Sequence, residues 1–316
     1  MAERTADTPV RRLSEISRLR FSPAVHEQTD LRMVCDGPSG CRKTPTVLEV
    51  ASALGRKTAV IDTQRGASKR FADAFPNFAF DVTVMTYFSP DDLTAALASA
   101  QADGYGTVVI DSLTPFWTGP GGMLEQVDEA ARRVGGGSSA GWKEMRPAER
   151  RMVEAMAAYP GHVLGTVRSR TEVVIEADEQ GRHSPRRVGT KPEQREGFEY
   201  DWDVYASIDP EHTLLVTKAY SESLHGAVFR LPDPDFARQL KELADSGTPT
   251  EPIADLIAEA MREDATRESL YELWARVRRR NAQGAPMLTP DEKPTVLAEF
   301  ITRRGFELRS MENETA

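Results

Sequence analysis

Short unbroken apolar runs alternate with amphipathic stretches through the first half of this chain. Residues 31–35 (Leu-Arg-Met-Val-Cys), 58–61, 107–110 and 162–167 read as buried strands, with another over 81–87. Between them, Val47, Val50 and Leu54 recur at helical spacing over 46–54, and Pro45 suits a first helical turn. Ser89 before Pro90, Asp91 and Asp92 is an N-cap with an acidic first turn, opening a helix to about Ala102. Further helices are predicted over 123–134 and 147–159, separated by a flexible spacer at 135–139. Continuous apolar strands separated by helices define an α/β fold class with a mostly parallel central sheet, covered on both faces.

From Arg168 the pattern changes. Residues 171–177 alternate, a polar stretch over 178–196 interrupts, and two more strands are expected over 202–208 and 213–217. After Leu231 the chain turns helical, with a linker at 246–252 and helices near 253–261, 267–280 and 290–304. The expected division is an N-terminal arm at 1–30, with a loosely docked helix around 10–19, a main α/β domain at 31–232 and a small helical C-terminal region at 233–316.

Composition narrows the class. The chain has 316 residues, 40% hydrophobic and 28% charged, as in ordinary globular proteins, which suggests about two domains. No run approaches the ~18 apolar residues of a membrane span, and the N-terminus lacks the apolar core of a secretory signal. Two cysteines cannot make a disulfide scaffold or a four-cysteine zinc site, so a cytoplasmic protein is expected. The net charge of −9 argues against a broad basic coat for nucleic acid, and any such contact must be local.

The chemistry concentrates where the first strand meets the first helix. Gly37-Pro38-Ser39-Gly40-Cys41-Arg42-Lys43-Thr44 keeps Gly37, Lys43 and Thr44 at the spacing of a phosphate-binding loop. Backbone N–H groups at such a helix start cradle phosphates, the lysine reaches them, and the hydroxyl binds Mg²⁺. Arg42 stands where the second glycine of that pattern belongs, and its Cβ can obstruct close approach. Its planar fork can equally clamp phosphate. Asp111 ends the strand 107–110, where such folds hold the Mg²⁺-coordinating acid. Read alone, each feature is also an ordinary turn or cap.

Together the residues resemble a family. Gly37 to Thr44, Val60-Ile-Asp-Thr-Gln-Arg-Gly66, Val108-Val-Ile-Asp-Ser-Leu113 and Gly165-Thr-Val-Arg-Ser-Arg-Thr-Glu172 resemble the RecA-like AAA ATPases encoded by phages, the Sak-type recombination proteins. The likeness spans about 31–230. It implies a RecA-like P-loop core, ATP and Mg²⁺, and single-stranded DNA binding in recombination or annealing. It also implies a homo-oligomer, ring or filament, with recombination or single-strand-binding proteins as further partners, in the cytoplasm (the host's, if phage-encoded).

By position, the resemblance makes Lys43 the holder of the β- and γ-phosphates, Thr44 the Mg²⁺ ligand and Asp111 the acid beside it. Thr166 would sense the γ-phosphate, and Lys218 would reach a neighbouring subunit's nucleotide. The segment 170–197 would face DNA through Arg170, Arg182, Arg186, Arg187, Lys191 and Arg195, although Glu179, Glu193 and Glu196 interleave there as on a solvated hairpin.

Three positions depart from the family pattern. Arg42 replaces glycine, Tyr220 replaces a second basic residue, and Gln64 replaces the glutamate expected to activate water. A neutral amide orients water but accepts protons poorly. The alternative is therefore a degenerate, non-hydrolysing DNA-binding or scaffold protein; a small-molecule kinase ranks below both.

Overall fold

The computed structural model describes residues 23–177 and 183–315, apart from the side chains of 171–189 and 312–315. The order is β1 (Arg32–Gly37), α1 (Lys43–Leu54), β2 (Thr58–Asp62), β3 (Phe80–Val84), α2 (Pro90–Ala102), β4 (Thr107–Asp111), α3 (Thr114–Thr118), α4 (Met123–Val134) and α5 (Gly137–Ala157). Then come β5 (His162–Ala177), β6 (His183–Pro192), β7 (Val204–Ile208), β8 (Thr213–Lys218), β9 (Val228–Arg230) and α6 (Pro234–Asp245). The chain closes with α7 (Ile253–Ala260), α8 (Arg267–Arg279), β10 (Pro286–Leu288), β11 (Pro294–Val296) and α9 (Leu297–Thr315).

The sheet runs β3-β2-β4-β5-β1-β7-β8-β9, parallel from β3 to β7, with β8 and β9 antiparallel at one end and β6 folded back on β5. Period-2 alternation splits each buried strand between two cores. Met33, Cys35 and Val109 join Val47 and Leu48 of α1 and Phe236 and Leu240 of α6 on one face. Val34, Val108 and Ile110 join Leu93 and Leu97 of α2 and Met152 and Tyr159 on the other. Helices on both faces explain why the strands read as solid apolar runs. A third cluster, with Leu256, Leu273, Val277 and Phe300, fills the helical C-terminal region. The α/β class expected from the sequence is the fold observed.

Buried Arg32 on β1 is a structural knot. Its guanidinium donates to the carbonyls of Ala157 at 2.9 Å, Tyr159 at 2.6 Å and Gly161 at 2.6 Å, tying the α5–β5 turn to the first strand. Alongside it, His162 Nδ1 accepts the Leu31 N–H at 2.9 Å.

Some sequence expectations shift. β5 does not end near residue 167; it continues as one 16-residue strand to Ala177, because β6 pairs along it where only a polar interruption was expected. α5 starts at Gly137, absorbing most of the predicted spacer and carrying Pro147 inside. Packing overrides the proline there: Gly141 lets α5 approach the Val127 carbonyl of α4 where a Cβ would clash. The helix expected from 290 begins at Leu297, since Pro290 and Pro294 lack helix-forming N–H groups and a β10–β11 hairpin occupies 286–296. Among the described residues, no helix is long and apolar enough to cross a membrane.

Candidate nucleotide site

β1 delivers the loop and α1 receives it. A Cβ at Gly37 would sit 2.5 Å from both Cys41 Sγ and the Ile208 carbonyl, so only glycine fits this turn. Arg42 is the N-cap of α1 at φ 76°, ψ 21°, the left-handed conformation a glycine adopts freely. An arginine is held there at a cost of about 1–2 kcal/mol. Lys43 Nζ donates to the carbonyls of Gly37 at 2.8 Å and Pro38 at 2.7 Å. The lysine thus folds back over its own loop.

The strand ends bring the next residues together. Asp111, fully buried, accepts from Thr44 Oγ1 at 2.7 Å, Gln64 Nε2 at 2.7 Å and Thr166 Oγ1 at 2.5 Å. Three residues from three segments therefore meet at one carboxylate. Asp62 shapes the turn carrying Gln64: burial raises its pKa, but hydrogen bonds from Ser68, Gln64 and Gly66 outweigh that and hold it below the usual carboxylate range.

A cavity of about 550 Å³ opens here, lined by the loop, Gln64, Phe71, Arg168, Ser169 and Glu193. The last three were missed as cavity residues in the sequence; β6 pairing brings Glu193 beside the middle of β5, where its N–H donates to the Arg168 carbonyl at 2.8 Å. Asp36, at 1% exposure, accepts from the hydroxyls of Ser169 and Ser207, and burial raises its pKa. Cys41 is no activated thiol: burial pushes its pKa up despite Lys43 beside it.

The residues fit a Mg²⁺-bound nucleotide. Arg42 Nε is buried with no hydrogen-bond partner among the described residues, an orphan donor on the cavity wall suited to an anion. Thr44 gives its hydroxyl hydrogen to Asp111, leaving its lone pairs for a cation. Among the described residues no cluster of three or more His, Cys, Asp or Glu could hold a metal. Mg²⁺ keeps several waters and takes phosphate oxygens, so the Thr44 hydroxyl is a fitting protein ligand for it. The buried Asp111 would steer those waters from beneath Thr44. Because Arg42 supplies a donor, Arg42→Ala is expected to weaken ATP binding about tenfold, the worth of one charged hydrogen bond. Tighter binding in a titration would mean the side chain obstructs instead.

The remaining sequence candidates lie elsewhere. Arg170 and Lys191 are exposed and directly opposite in the β5–β6 register. Arg186 and Arg187 lie on β6, opposite Val174 and Val173, with side chains outside the described residues. Arg182 lies wholly outside them, as does the arm over 1–22. Arg195 is engaged within the chain, paired with Glu149 at 3.3 Å and with Asp201, which clamps the segment after β6 onto α5. Lys218 pairs in register with Tyr205, level with Val34, about 10 Å short of the loop along the strands and two strands across. Its amine donates to the carbonyls of Glu199 and Tyr200. Trp202 packs in the core against Phe198, and Tyr200 is exposed on a short 3-10 turn.

Fold and site together define an α/β protein with a phosphate-binding loop of the P-loop kind between its first strand and first helix. The model of the AAA domain family matches residues 29–224, and this chain belongs to that family. No curated protein matches it. Among solved structures it is similar to the RadB recombinase, at 15% identity over 65% of this chain and 89% of that one, with a TM-score of 0.36.

Proposed function

We propose that this protein binds and hydrolyses ATP with Mg²⁺ and acts on single-stranded DNA in recombination or annealing, as a phage-type, Sak-like member of its family. The observation that carries the nucleotide half is the convergence of Thr44, Gln64 and Thr166 on Asp111 beside the Lys43 loop. Lys43 would exchange its two loop carbonyls for the β- and γ-phosphates, and Arg42 would close on them from the helix start. Mg²⁺ would neutralise phosphate charge and make the γ-phosphorus easier to attack. Thr166, bonded to the same carboxylate, would report whether the γ-phosphate is present.

The DNA half is supported by the β5–β6 hairpin. Like charges directly across an antiparallel pair destabilise it, and Arg170 faces Lys191 with no ion pair to either among the described residues. A phosphate backbone removes that cost. Arg168 lies on the same face two residues earlier, so cationic groups run from the hairpin to the cavity wall. Lys218, turned away from its own phosphate loop, would serve a neighbouring copy's nucleotide in a ring or filament.

The test is phosphate release with and without single-stranded DNA, alongside DNA titrations of Arg170→Gln/Lys191→Gln over a range of salt. The double variant is expected to bind DNA about tenfold more weakly, with its log–log salt slope reduced by about 1.4, or 0.7 per lost phosphate contact. Unchanged affinity and slope would remove the hairpin from the DNA face. A second reading, nucleotide binding without hydrolysis, is favoured by Gln64, whose amide donates to Asp111 and offers no carboxylate. DNA binding that responds to ATP without any phosphate release would select it.

A further inference from the structure

Hydrolysis needs a proton acceptor for the attacking water, and a glutamine at position 64 is a poor one. The carboxylates around the cavity differ in what their oxygens already do. Asp111 accepts from three side chains, Asp36 from two serine hydroxyls, and Asp62 from its own turn. Glu193 is different: it is the one carboxylate among the described lining residues, and its side chain has no hydrogen-bond partner among the described residues.

Its position is fixed. The Glu193 N–H bond to the Arg168 carbonyl holds it level with Arg168, two residues beyond Thr166 and so about 7 Å further along β5. Thr166 and Asp111 mark the metal end of the site, and the γ-phosphate and then the attacking water belong beyond them, toward Arg168 and Ser169. Glu193 therefore lines the same cavity as Lys43, Thr44 and Gln64, from the wall on the far side of Thr166.

Building on the nucleotide-site reading above, we propose that Glu193 is the general base of ATP hydrolysis in this chain, replacing the acid that Gln64 lacks. The Glu193 carboxylate takes a proton from water as the water oxygen bonds to the γ-phosphorus. The bond from that phosphorus to the β,γ-bridging oxygen breaks, its electron pair leaves with ADP, and the proton passes on to inorganic phosphate. Gln64, anchored to Asp111 through Nε2, keeps its carbonyl to orient the water. Because Glu193 follows β6 directly, a strand bound along the hairpin also sets where the base stands.

The experiment uses the full-length protein with Mg-ATP and single-stranded DNA, comparing wild type, Glu193→Gln, Glu193→Asp and Lys43→Ala. Three quantities are read: affinity for a fluorescent ATP analogue, the nucleotide recovered on the protein after rapid desalting, and phosphate release against pH. Glu193→Gln should bind the analogue within about threefold of wild type and carry intact ATP, where wild type carries ADP. Its phosphate release should fall on the order of a hundredfold and lose the acidic limb of the pH profile, which Glu193→Asp should partly retain. Wild-type turnover in Glu193→Gln, or loss of its nucleotide affinity, would overturn the proposal. So would intact ATP recovered from wild type, because no base would then be at work. The nucleotide site itself is judged separately, by whether Lys43→Ala loses the analogue.

Discussion

Lys43→Ala is expected to lower affinity for Mg-ATP on the order of a hundredfold while leaving the fold intact. The ammonium is the strongest donor available to the phosphates on this loop. A charge-assisted hydrogen bond is worth about 1.5–3 kcal/mol, and two phosphate groups share this one. The cost to folding is smaller. Lys43 Nζ donates to the carbonyls of buried Gly37 and half-buried Pro38 in part-buried bonds, where water from the cavity can take the place of the ammonium once the side chain is gone. Isothermal titration with a non-hydrolysable ATP analogue and a thermal melt on the same sample separate the two effects. Wild-type affinity in the variant would remove the phosphate site from this loop, whatever the sequence spacing suggests.

The second large effect is a loss of stability in acid that traces to His162. Its ring is almost wholly buried, and burial, with the Arg56 and Arg32 guanidinium groups nearby, depresses its pKa to about 4; Asp30, at 3.9 Å, opposes this. Protonation would also end the Nδ1 acceptance of the Leu31 N–H. The folded pKa lies below the ordinary value of about 6.5, so the unfolded chain binds the proton first. The stabilisation is fully present above pH 6.5 and is lost as the pH falls toward 4, by roughly 2–3 kcal/mol at pH 4.5. Urea melts of wild type and His162→Gln at pH 7.5 and 4.5 check this. The glutamine variant should start less stable and lose less on acidification. An equal loss in both proteins would clear His162 of the role.

Much of the phosphate site was legible because its signals are local and of fixed spacing. A buried strand, a glycine turn and a lysine–threonine pair are written within fourteen residues, and Asp111 and Thr166 stand at or near the ends of apolar strands that a parallel sheet aligns. Sheet register then does what no linear reading states, putting Thr44, Gln64 and Thr166 on one carboxylate. The cavity's outer wall was not legible. Glu193 reaches it only through the antiparallel pairing of β6, and the residues of β6 are polar with no alternation to announce a strand. Arg195 looked like one more cation in a basic cluster, but Glu149, 46 residues earlier on α5, claims it in three dimensions. Pro147 misplaced the start of α5 because intrinsic propensity was read where packing against α4 decides.

The loop carries an internal competitor for its own lysine. An incoming nucleotide does not meet a bare ammonium; it must displace two backbone carbonyls that already hold it. Those carbonyls then return to water, so the net gain from the lysine is the difference between phosphate and amide as acceptors. Anionic oxygens win that exchange clearly and neutral ones do not. Neutral polar molecules that merely fill the cavity are therefore turned away by the same two carbonyls that give way to a phosphate.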